Sequence, residues 1–245
     1  MYSTEIPDAL QPRGLGETTE FGTSGMLYRS NKLMYDRATE TLWHQFRGEP
    51  VAGPLAGSGV RLKILPSVLT TWSEWLAEHP DTTVISNDTG VYPAEFYTPE
   101  EDFTSIYYSY RADPDTMFPV AGIDDRLPIK EQVFGLTFNG QARAYQRSAL
   151  AHDPALNDTV GGQDVVIVTV AGGAVRAYDR GGLQFQTAPG GLLQDDEGQQ
   201  WQVLEDALQN TRDPSLRLDR LPSRDAYWFG WHAFYPHTDI YTPLN

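Results

Sequence analysis

Apolar positions along the chain recur at two spacings. Between Ser67 and Glu78, residues Leu69, Trp72, Trp75 and Leu76 fall three, three and one apart, which places them on one face of a short helix. Ser67 or Thr70-Thr71 can cap its start, and Pro80 forbids its continuation. Thr83–Ser86 then reads as a strand. Upstream, Met26–Arg29 and Lys32–Tyr35 are expected as strands around a turn at Ser30-Asn31, and Leu42–Phe46 as another. Pro50–Gly59 reads as loop. From Lys130 the pattern turns to β. Val133–Phe138 and Ala142–Tyr145 flank Asn139-Gly140, a pair suited to a tight hairpin that needs positive φ at both positions. Asp164–Thr169 and Ala174–Tyr178 flank Ala171-Gly172-Gly173, and Leu183–Thr187 and Gln200–Leu204 are further strands. Asn157-Asp158 reads as a turn. A second helix is expected over Asp225–Ala233 and a strand over Asp239–Tyr241.

The two helical stretches match. Pro66, Trp72, Trp75 and Pro80 each return 156 positions later as Pro222, Trp228, Trp231 and Pro236. Trp43 returns as Trp201 at an offset of 158, and Asp36 and Asp195 fall near equivalent places. The expected fold is mainly β with short helices, of the α+β kind. It is a duplicated module of two pseudo-symmetric antiparallel β halves sharing one core, each half being small for independent stability. The organisation read from this is an amino-terminal arm over residues 1–20 and one domain over 21–245. Within it, repeat 1 covers about 21–86, an aromatic connector 87–125, and repeat 2 about 126–245. The connector holds seven aromatic residues from Tyr92 to Tyr110, so an ordered loop over the body is expected rather than a flexible tether.

Composition narrows the function classes. The formal net charge is −15, and such a surface repels nucleic acid and anionic lipid. Dense carboxylates with three lysines suit a high-salt environment. With no cysteine there is no disulfide, thiolate metal site or Cys nucleophile. No apolar run reaches the roughly 18 residues that span a bilayer, so no transmembrane segment is expected. No signal peptide is visible over Met1–Gly16, which reads as cytoplasmic.

The candidate chemistry is concentrated in one cluster: Tyr28, Ser30, Asn31, Asp36, Arg37, Trp43, His44 and Gln45. It is dense in hydrogen-bonding groups and richer than its counterpart around Leu192–Trp201. The competing reading is turn and cap bonding by Ser, Asn and Asp. Asp36 and His44 are the candidate acid/base pair, and His44 and His79 the candidate metal ligands, although the repeat does not keep His79. The tryptophans read as core. Ser24 and Ser30 lack a nucleophile elbow. Asp124-Asp125 and Asp195-Asp196 read as solvated faces. Asn157–Gly162 is followed by a strand, not the helix a phosphate-cradling loop needs. No cofactor is indicated.

Phe21–Trp43, Gly53–Gly57, Leu69–Ser86, Leu156–Gly162 and Trp228–Tyr241 together resemble the DUF3179 family of bacteria and archaea, which has no settled biochemical function. The resemblance covers nearly everything from Phe21. It implies a further β-segment with a Cys-Pro turn at the start, which this chain lacks, and an exported or lipid-anchored, extracytoplasmic setting. The second repeat reads Val170-Ala171-Gly172-Gly173 at the turn position, without Cys. Two functions are carried forward. One is a non-catalytic binding or interaction module with a polar pocket near Tyr28–Gln45, its partner an unknown small molecule or protein. The other is a metal-assisted or acid/base hydrolase using Asp36 and His44.

Overall fold

The computed structural model describes residues 2–3, 19–99, 102–120 and 122–243. The arm read over residues 1–20 lies largely outside them. Its first described residues form β1 (Tyr2–Ser3), antiparallel to β6 (Lys63–Ile64).

A four-stranded antiparallel meander follows: β2 (Phe21–Tyr28), β3 (Asn31–Asp36), β4 (Leu42–His44) and β5 (Glu49–Ala52). The first turn sits at Arg29-Ser30, one residue before the expected place. Both residues take positive φ, 51° and 59°, as a hairpin turn whose twist matches the strands requires. Trp43, Leu55, Val60 and Leu62 form a small core under this sheet. The stretch expected to be loop begins with β5.

The second part holds most of the strands. Hairpin β7 (Gln132–Phe138) and β8 (Gln141–Gln146) turns at Asn139-Gly140, at φ 49° and 81°. An eight-stranded antiparallel sheet is built from β9 (Ala155–Val160), β10 (Gln163–Thr169), β11 (Val175–Asp179), β12 (Phe185–Ala188), β13 (Leu192–Asp195), β14 (Gln200–Val203), β15 (Ala207–Asn210) and β16 (Arg217–Leu221). Its order is β12-β13-β14-β15-β16-β11-β10-β9, and it curls into a nearly closed barrel. Asn157 bridges the two end strands as a backbone would. Its amide donates to the Phe185 carbonyl at 2.7 Å and accepts from the Phe185 N–H at 2.8 Å. Asn157 is therefore in a strand, and the turn after it is Gly161-Gly162, at φ 58° and 80°.

Side chains of β10 alternate between two cores. Val166 and Val168 fill the barrel with Tyr178, Phe185 and Trp201; Val165 and Ile167 face Phe134, Leu136 and Tyr145 of the hairpin. Leu150 of α3 (Arg147–His152) joins the second group.

The two Trp-rich helices are α1 (Trp72–Glu78) and α4 (Trp228–Phe234). Strand β17 (Arg224–Tyr227) leads into α4, and β18 (Asp239–Ile240) follows it. These strands flank the hairpin in the order β17-β7-β8-β18. Both helices end alike: the Trp75 and Trp231 indoles donate to Thr82 and Thr238 hydroxyls, each at 2.9 Å. Trp43 and Trp201 also share a bond, each indole donating to a buried aspartate, Asp36 or Asp195, at 2.8 Å. Each of those indoles meets a phenylalanine edge-on, Phe21 or Phe185.

Two expectations need correcting. Thr83–Ser86 is not a strand in this structure. The connector is not all loop: it carries a short 3-10 turn at Ala94–Tyr97 and the helix α2 (Ile106–Ala112), and its Tyr92, Phe96, Phe103, Tyr107 and Tyr108 are exposed.

Candidate functional site

The polar cluster expected near Tyr28–Gln45 divides four ways, because successive residues of β3 and β4 point to opposite sides. Asp36 and Trp43 go inward. Asp36 is fully buried, and its carboxylate accepts from the Thr39 N–H, the Thr39 hydroxyl and the Trp43 indole. Those bonds close the β3–β4 turn. Arg37 points outward, near Glu20 and over the Tyr35 ring.

Tyr28 and His44 form the seam with α4. The buried His44 ring stacks on Phe234 at 4.9 Å between centroids, and Tyr28 leans on both. Arg29 donates to the Ala233 carbonyl, and the Tyr235 hydroxyl to the Phe46 carbonyl at 2.9 Å. His44 Nε2 lies 3.3 Å from Glu49 Oε2, and its Nδ1 accepts from the Arg47 N–H. Burial holds the imidazole below its ordinary pKa against the opposing pull of Glu49. Asp36 and His44 thus serve separate tasks, a turn anchor and an interface ring.

Ser30, Asn31 and Gln45 line a cavity of about 490 Å³. Gln45 Nε2 donates to Asn31 Oδ1 at 2.8 Å, fixing both amides on the near wall. The opposite side is Ser67–Leu69 with Arg224–Tyr227, Phe229 and Gly230. Arg224 Nη2 donates to the Gln45 carbonyl at 3.1 Å, tying the walls together. Tyr227 and Phe229 stack at 6.0 Å. A second cavity of about 310 Å³ shares Leu69 and Asp225–Tyr227 and continues toward Arg111, Gln132 and Arg147. The two cavities make one groove along β17. Asp225 is paired with Arg147; burial raises its pKa, and the guanidinium opposes that.

The far wall was missed in the sequence. The signal was available: Arg224 and Asp225 stand 156 positions after Val68 and Leu69, the same spacing at which Trp72 and Trp75 recur as Trp228 and Trp231. The His79 ring leans on Trp75 at 4.1 Å between centroids, and its Nε2 finds no hydrogen-bond partner among the described residues. Among those residues no three His, Asp or Glu side chains gather in a way that could hold a metal ion. No helix among them is long and apolar enough to cross a membrane.

The molecule is a mainly β protein with a few short helices and a nearly closed barrel. It belongs to the family described as protein of unknown function DUF3179, whose model matches residues 2–238. No curated protein and no solved structure matches it.

Proposed function

We infer that this DUF3179 member is a non-catalytic binding module whose ligand lies in the groove between Ser30–Gln45 and β17. One observation carries the reading. Among the described residues β17 pairs with β7 alone, and its other side runs along the groove. Trp228 N–H bonds the Glu131 carbonyl at 2.8 Å, so alternation turns the backbone groups of Asp225 and Tyr227 away from β7. A strand edge beside fixed amides and stacked aromatic rings suits an extended, uncharged stretch of polypeptide. The Asp225 charge is met by Arg147, which favours a polar ligand over an ionic one.

The hydrolase alternative has less support. Asp36 is closed off by Thr39 and Trp43, and His44 lies under Phe234. Within the same reading, the chain is a duplicated module. The paired indole–threonine and indole–aspartate bonds support this, as does the register of β1 on β6. Tyr2 faces Ile64 as Tyr178 faces Arg220, and Ile64 and Arg220 are 156 positions apart.

The test is selection of extended peptides from a random library, followed by titration calorimetry of the best. Asn31→Ala with Gln45→Ala should weaken binding by about tenfold or more, and N-methylation of alternate peptide bonds should do the same. Undiminished binding by the double variant would remove the groove as the site.

A further inference from the structure

The two Trp-rich helices have unequal surroundings. Trp228 is 0% exposed, packed with Trp231 over Val133 and Ala144 of the β7–β8 hairpin. The Trp231 ring lies on Gly135, where an added Cβ would come within 2.2 Å of it. Beyond the helix, Ile240 pairs in parallel with Ala144, and the Tyr241 ring meets Tyr145 at 5.4 Å.

The counterparts of those residues, each 156 positions earlier, are Trp72, Trp75, Val84 and Ile85. Trp72 is 51% exposed, Val84 68% and Ile85 88%. Leu69 and Leu76 extend the same open face. The helix is nevertheless anchored from behind. Glu74 accepts from the Gly172 N–H at 2.9 Å, and Glu78 accepts from Arg176 at 2.9 Å. The strand context is missing as well. The far edge of β11 is paired with β10, while the corresponding edge of β1 has no strand beside it among the described residues.

We propose that this face is a docking site for a β-hairpin from a partner polypeptide, chemically like Gln132–Gln146. The proposal rests on the duplication inferred above, not on the groove. The molecule itself displays the occupant, because the same helix and the same following segment are covered by such a hairpin in the other half. The chemistry required is an antiparallel pair with a glycine beneath Trp75. Beside it lie small and branched apolar residues for Trp72, and a strand edge for Thr83–Ile85.

The probe is a synthetic peptide of residues Lys130–Ser148 with its ends joined by a disulfide, titrated into the full 245-residue chain. Binding at one to one is expected, with slowed amide exchange at Thr83–Ile85. Trp72→Ala in the chain, or valine in place of the peptide's Gly135, should weaken it by about tenfold or more. The proposal is overturned if the glycine and valine peptides bind alike, or if neither binds a folded chain. It is also overturned if light scattering finds a dimer that Trp72→Ala dissolves, since a second copy would then be the cover. Superposing the two halves in experimental coordinates tests the duplication separately. Halves that superpose while the peptide fails leave the duplication standing and remove the docking site.

Discussion

Helices α1 and α4 are each seven residues long and end in nearly the same backbone geometry, at φ −133°, ψ 70° for His79 and φ −128°, ψ 68° for Tyr235. Both clasp a threonine hydroxyl with the second indole. They differ in what lies over them. The hairpin covers α4 and converts Asp239–Ile240 into a strand. Thr83–Ile85, with no such neighbour among the described residues, stays irregular. Helix and clasp are therefore local products of the motif, whereas the strand and the burial of the first indole depend on a partner segment. Each helix also bonds to segments far away along the chain. In α1, Glu74 and Glu78 hold Gly172 and Arg176; in α4, Phe234 and Tyr235 hold His44 and Phe46.

The comparison breaks first at the tryptophans. Trp228→Ala should cost about 3–5 kcal/mol of unfolding free energy, because it empties a filled site on a tight sheet. Trp72→Ala should stay within about 0.5 kcal/mol, as for surface changes generally. Urea denaturation of the two variants measures both. An equal loss at Trp72 would mean that its face is already covered in the isolated chain.

What the residues disclosed in advance follows the same division. Asn139-Gly140 announced its hairpin because the turn demands positive φ and those residues supply it cheaply. Arg29-Ser30 adopts the same turn without such residues, so the chemistry there pointed one position too late. The Thr71 cap and the apolar spacing made α1 readable, since a helix closes its own hydrogen bonds. Thr83–Ser86 looked like a strand, but a strand closes its bonds only on a neighbour. The polar cluster was read as one patch. It splits because alternate residues of β4 face opposite ways, His44 toward Phe234 and Gln45 toward the groove. The far wall of the groove lay some 180 positions away and was legible only through the 156-residue spacing of the tryptophans.

The next test concerns two aspartates that are equally covered. Asp36 and Asp195 are both buried, and each takes an indole bond as well as turn bonds, from Thr39 or from Glu197 and Gln199. Asp36→Ala and Asp195→Ala should each cost about 2–4 kcal/mol, since bonds to a buried carboxylate are strong and the stranded donors lose their hydration. The two losses should agree within about 1 kcal/mol, the usual scatter between contexts. A wide gap in the denaturation midpoints would show that one meander is held by something the other lacks.

The smallest effect is one of pH, and it sets His44 against the exposed Gln202 on β14, 158 positions later. Burial against Phe234 keeps the folded pKa of His44 below its ordinary 6.5, although the Glu49 contact pulls the other way. The unfolded chain therefore takes up the proton first as pH falls. The stability that neutral His44 contributes is complete above 6.5 and is lost as pH drops through that value toward the folded pKa. Replacing His44 by Gln should lower stability at neutral pH through the lost ring stacking, yet flatten the slope between about pH 7 and pH 5. Gln202→His, placing an imidazole at an exposed position of β14, should leave the slope as it was. Urea midpoints across that range for the three proteins decide the point. Parallel curves for the parent and His44→Gln would show that the ring at the seam with α4 is not held neutral by its burial.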